Sequence, residues 1–231
     1  MKTDHPTLFE ETADSQLLAF FLHTFLLNNS RDEDSINKIL NNLVNNFTES
    51  DIEAMPLKRL NILAKSLRYL VLCSNLTDLE EYERMVYNIC VEKNRKFADR
   101  VKEKEANGEY DEKRISKENI IIRDLLTDMG VHFEEEYNSE ETLSSLDFYI
   151  PEARLAIEIN GRNHYYPFST RYNNFTNFKS KMLKSSGYQV FHLNSWKLEG
   201  MMNNPEGVKE LLRKTIDTGK SRLAERKQQE Q

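Results

Sequence analysis

The sequence contains no run of the roughly 18 apolar residues that a membrane-spanning helix requires, which leaves no expectation of a membrane partner. Cysteine is scarce. Cys73 and Cys90 both fall on the apolar stripes of expected helices, so they read as reduced core residues in a reducing compartment rather than a disulfide or a catalytic pair. Met1 to Glu11 hold one lysine and no arginine, unlike a secretory signal or an arginine-rich transit peptide. The most informative absence is local. From Gly161 to Leu198 the chain runs 38 residues without an Asp or Glu, although its net charge is −6 and its isoelectric point about 5.5.

That acid-free window carries Arg162, Arg171, Lys179, Lys181, Lys184 and Lys197 among nine aromatic residues. A local field of one sign governs what a surface attracts more than net charge does, so the window reads as a nucleic-acid surface. Lysine and arginine bind phosphate in a salt-dependent way, and exposed aromatic rings stack on unpaired bases. Tyr165, Tyr166, Phe168, Tyr172 and Phe175 crowd a short loop that cannot bury them all. Just before the window stand two carboxylates, Asp147 and Glu158. Each has a plain structural reading too: Asp147 capping a turn, Glu158 paired with Arg154 or a lysine. His192 reads as a sheet residue and Trp196 as core.

The two halves differ in periodicity. Ile36, Ile39, Leu40, Leu43, Val44 and Phe47 trace one buried helical face, with Asp34 or Ser35 as the expected cap. Leu17 to Leu26, Leu60 to Val71 and Leu79 to Phe97 carry further stripes, the last opened by a capping box Thr77-Asp78-Leu79-Glu80. Four helices joined by short loops predict a small bundle or helical hairpins over residues 1–106. Lone His23 reads as core or rim. The charged stretch Lys102 to Glu118, with Gly108 as its flexible point, marks the expected boundary, and a second domain is expected over 113–231. There the grammar is α/β. A helix Ile120 to Met129 ends at Gly130; strands follow at Val131 to Tyr137, Leu146 to Ile150 and Arg154 to Ile159; then a helix from Thr176 to Ser186, a strand Tyr188 to Leu193 and a helix Pro205 to Arg226. A helix joining the third strand to the last is the crossover of a mixed sheet.

Leu146-Asp-Phe-Tyr-Ile-Pro, Leu155-Ala-Ile-Glu-Ile-Asn-Gly-Arg-Asn-His164 and the segment from Lys179 to Trp196 together resemble the RAP domain, an RNA-binding domain abundant in apicomplexans. The resemblance implies a helical N-terminal half followed by a mixed-sheet PD-(D/E)XK nuclease-like fold. It also implies an RNA partner, organellar rRNA or mRNA, and a mitochondrial-matrix protein of RNA processing or of the ribosome, with ribosomal or other assembly proteins as further partners. In nucleases of that fold an Asp and a Glu hold a divalent metal, and a lysine two residues past the Glu helps activate water. Asp147 and Glu158 match the first two positions. Asn160 stands in the lysine position and carries no charge, while His164 is retained and Lys179 lies on the next helix. The resemblance therefore implies RNA binding through Arg162, His164, Tyr165, Tyr166, Arg171, Lys179, Lys181 and Lys184, with no cofactor. A metal-dependent nuclease using Mg2+ on Asp147 and Glu158 is the alternative. A structural subunit that docks through the helical half, net charge −5 over residues 1–110, is the third.

Overall fold

The computed structural model describes residues 14–28, 32–74, 79–106, 116–201 and 203–229. The chain divides into two compact units, Met1–Asp111 and Glu112–Gln231. The first contains the helices α1 (Ser15–Leu27), α2 (Glu33–Asn46), α3 (Glu49–Ala54), α4 (Leu57–Ser74) and α5 (Glu80–Ala106). α1 packs on α2 and α4, and α5 on α3 and α4. Their stripes meet in a core that fully buries Leu18, Leu22, Ile39, Leu43, Leu60, Leu63 and Leu67. His23 belongs to this packing: its Nδ1 lies 3.0 Å from Ser66 Oγ, and burial brings its pKa down to about 4. Cys90 is buried and neither cysteine forms a disulfide.

Several expectations for this unit shift. α2 is capped by Asp32, whose carboxylate accepts the Ser35 amide at 3.1 Å, two or three residues before the expected cap. Val44 and Phe97, assigned to buried stripes, are exposed. α3 is an additional helix, opened by a capping box between Thr48 and Asp51. The box expected at Thr77-Asp78 lies outside the described residues. The charged stretch is not all linker: residues 102–106 end α5 and residues 117–118 begin the next helix. Residues 107–115, with Gly108, lie outside the described residues.

The second unit runs α6 (Lys117–Asp128), β1 (Glu134–Ser139), β2 (Ser144–Ile150), β3 (Leu155–Asn160), α7 (Asn174–Ser185), β4 (Gln189–Asn194), α8 (Ser195–Met201) and α9 (Pro205–Gln229). The four strands form one mixed sheet in sequence order, with β1-β2 and β2-β3 antiparallel and β3-β4 parallel across the α7 crossover. Phe148, Ile150, Leu155 and Ile157 pack beneath Ile122 and Leu126 of α6 and Val208, Leu212 and Ile216 of α9. Ala156 turns to the opposite face, where it meets Leu183 of α7 and Tyr188. Because strand side chains alternate, Glu158 and Asn160 continue the Ala156 face beneath α7. α6 and α7 both end in left-handed glycines: the amides of Gly130 and Val131, and of Gly187 and Tyr188, turn back onto the last carbonyls of each helix. Trp196, expected as core, lies in the first turn of α8 and is only half-buried.

Candidate nucleic-acid interface

β2 and β3 stay paired only as far as Phe148 and Ile157. One rung further Asp147 and Glu158 stand opposite each other, and Oδ2 of Asp147 accepts the Ile159 amide at 2.6 Å, taking over where the ladder ends. The register sets Glu158 beside His192 on β4. On the other side the rung falls on Glu136, between the paired Glu135 and Tyr137, at a left-handed φ of 52°. A single row across the sheet therefore reads Glu136, Asp147, Glu158, His192. Glu136 escaped the sequence reading because only the register of β1, not the local Glu134–Glu136 run, sets it opposite Asp147.

Glu158 is the most constrained member. It is 4% exposed, its Oε2 lies 2.5 Å from Lys179 Nζ, and its Oε1 is buried without a hydrogen-bond partner among the described residues. Burial drives its pKa up to about 7 against the pull of Lys179, and the negative charges of Asp147 and Glu136 push the same way. Burial also raises Asp147 above the usual carboxylate range, opposed by the Ile159 hydrogen bond and by Lys179. Glu158 thus pairs with a lysine, while Arg154 goes to Glu141 at 2.6 Å.

Asn160, which the sequence resemblance sets in a nuclease's lysine position, is 1% exposed and serves structure. Its Nδ2 donates to His192 Nδ1 at 2.9 Å and to the Glu158 carbonyl at 3.3 Å. That assigns His192 the neutral tautomer with its proton on Nε2, which faces Ser180 Oγ at 3.2 Å. Burial, then the charges of Lys184 and Lys179, bring the His192 pKa down to about 4. The cation absent from β3 comes from α7 as Lys179. His164 flanks the pair: burial lowers its pKa, and the charge of Asp147 works against that.

Among the described residues no group of three or more His, Cys, Asp or Glu side chains is arranged to hold a metal ion. Two carboxylates with an unpartnered buried oxygen nonetheless suit Mg2+, which takes one or two carboxylates and completes its shell with water and substrate phosphate.

The acid-free window folds over this end of the sheet. Arg162, Arg171, Lys181, Lys184 and Lys197 are exposed, whereas Lys179 turns in to Glu158. Residues 165–172 form a hairpin closed by a bridge between Tyr165 and Tyr172. Tyr165, expected to contact nucleic acid, is buried at 7% exposure: its hydroxyl donates to Asn194 Oδ1 and its ring packs on Tyr172 and edge-on to Trp196, each at 4.7 Å between centroids. It anchors the hairpin. Tyr166 and Phe168 face solvent at its tip, and an open pocket lies between them, Arg162 and Trp196. Phe168 has a φ of 56°, a left-handed backbone that costs a bulky L-residue about 1–2 kcal/mol.

No curated protein matches the chain. Among solved structures, the catalytic domain of the homing endonuclease I-Bth0305I aligns at 23% identity over 46% of this chain and 98% of that one, with a TM-score of 0.35. Residues 157–215 match the RAP domain, a span that begins on β3, includes Glu158, the hairpin and α7, and ends in α9. The chain therefore carries a RAP domain, and that domain points to RNA as its ligand.

Proposed function

We propose that this chain is an RNA-binding protein of mitochondrial gene expression, working in transcript processing or held on ribosomal RNA. The observation that carries the RNA-binding part is the acid-free surface of the RAP segment, where Arg162, Arg171, Lys181, Lys184 and Lys197 stand exposed around an aromatic hairpin. Phosphates bound there displace counterions, and the affinity falls with salt accordingly. Glu158 in the carboxylate row below adds little repulsion, because burial raises its pKa to about 7 and Lys179 pairs with its carboxylate. The organellar assignment rests on the kinship of the sequence motifs with organellar RAP proteins. Filter binding tests the reading: replacing Arg162, Arg171, Lys181 and Lys184 together by Glu is expected to weaken RNA binding by orders of magnitude. Unchanged binding by the correctly folded variant contradicts it.

A second reading, metal-dependent nuclease, is favoured by one observation: Lys179 restores a cation beside Asp147 and Glu158. A divalent ion held by the two carboxylates would stabilise charge developing on a phosphate. In this arrangement Lys179 holds the Glu158 carboxylate, and burial lowers the pKa of His164 beside the charge of Asp147. RNA cleavage with magnesium or manganese that disappears in both Asp147→Ala and Glu158→Ala establishes this reading; binding without cleavage leaves the first.

A further inference from the structure

We propose that the tip of the 165–172 hairpin is a receptor for one unpaired nucleobase, stacked between Phe168, Tyr166 and Trp196 with the adjoining phosphate on Arg162. The proposal rests on the RNA-binding reading and narrows it to strands whose bases are exposed. The hairpin is built as a fixed support. The Tyr166 amide donates to the Arg171 carbonyl at 3.0 Å, the Arg171 amide to Ser169 Oγ at 3.0 Å, and the Tyr166 hydroxyl to Asn174 Oδ1 at 2.6 Å. At its tip the Ser169 amide closes a turn onto the Tyr166 carbonyl at 3.1 Å, with Pro167 second and Phe168 third. Proline there and a left-handed third residue are the pattern of a type II turn, whose third position normally takes glycine or asparagine. Phe168 occupies it instead, its ring wholly in solvent, where it contributes nothing to the core. A strained backbone that displays an aromatic ring is the kind of feature a binding site retains.

The chemistry around the pocket selects a nucleic acid over an apolar peptide. No acid occurs from Gly161 to Leu198, and Arg162 makes no ion pair among the described residues. The buried Tyr165 ring fixes Trp196 from behind in an edge-on contact, leaving the half-buried indole at the pocket wall. A base offers two π-faces to such walls whatever its sequence, and a duplex hides them.

Trp196 is the sole tryptophan, so its fluorescence reports this pocket alone. Titrating the full chain with a short single-stranded RNA of mixed sequence is expected to quench it, and the same RNA as a duplex is not. Phe168→Ala, at a solvent-exposed position, is expected to weaken single-strand binding about 5- to 150-fold while leaving the salt dependence unchanged. Equal quenching by duplex and single strand overturns the proposal. So does an unmoved Trp196 together with wild-type affinity in Phe168→Ala: RNA binding by the basic residues would then stand, and the pocket would fall to a protein partner. If the wild-type chain binds neither RNA, the functional reading fails as well.

Discussion

Glu158 governs the pH behaviour of the site. Its folded pKa of about 7 lies above the ordinary glutamate value of 4.5, so between them the native state keeps a proton that the unfolded chain releases. The corresponding stability is fully present below pH 4.5 and is lost as pH rises through 7, a change of about 3 kcal/mol. Asp147 is raised by the same cause and acts in the same direction. His23 and His192, neutral with pKa values near 4, act the opposite way, withdrawing stability as pH falls below 6.5. The difference between Glu158→Gln and wild type separates the carboxyl from the histidines. Urea unfolding is expected to show the variant gaining about 1–3 kcal/mol on wild type between about pH 5 and about pH 8; a difference that does not vary with pH contradicts the buried, raised carboxyl. Asp147 and Glu158 were legible in the sequence because strand alternation and the hairpin set them on neighbouring strands. The partnership of Lys179 with Glu158 was legible only as a reach from the next helix, since its geometry depends on how α7 packs. Phe168 stood out as one of too many loop aromatics, but its left-handed backbone has no local signal, because the turn position it fills ordinarily takes glycine.

β3 shows what periodicity can and cannot specify. Alternation marked Arg154 to Ile159 as a strand, which forms as Leu155–Asn160, yet both its faces are covered, and only the topology says that α7 lies on the Glu158 side. α3 and α8 were missed for a related reason: six- and seven-residue helices that each bury a single residue carry too little pattern to distinguish them from loops. The chain end of α7, by contrast, was readable from Gly187, whose φ of 85° is left-handed territory. Gly187→Ala is expected to destabilise the second unit by about 1–2 kcal/mol, because the added Cβ meets an unfavourable backbone and lies 3.4 Å from Arg154 Nε. The hairpin of residues 165–172 should be unaffected. Thermal unfolding monitored by circular dichroism, alongside RNA titration, checks both halves of that statement; unaltered stability would mean that the left-handed turn is not needed to join α7 to β4.

For the whole molecule, an acidic chain binds RNA only if its charges are segregated. Composition hides this, and it becomes visible when the six cations of the acid-free window are set against the net charge of −6. The division of the chain into two units falls between residues 111 and 112, within the charged stretch around Gly108, and we expect limited proteolysis to cut first near Gly108. The released piece from about Lys113 onward should keep its sheet and its RNA affinity, while the helical piece binds weakly. Loss of structure in both pieces on cleavage would mean a shared core. Ultraviolet crosslinking of the intact protein to RNA, with the adducts mapped by mass spectrometry, shows whether RNA lies on the acid-free surface. Adducts confined to residues 162–197, with Phe168 and Trp196 among them, are the predicted result. Adducts concentrated on α1 to α5, or none in that window, would contradict the account.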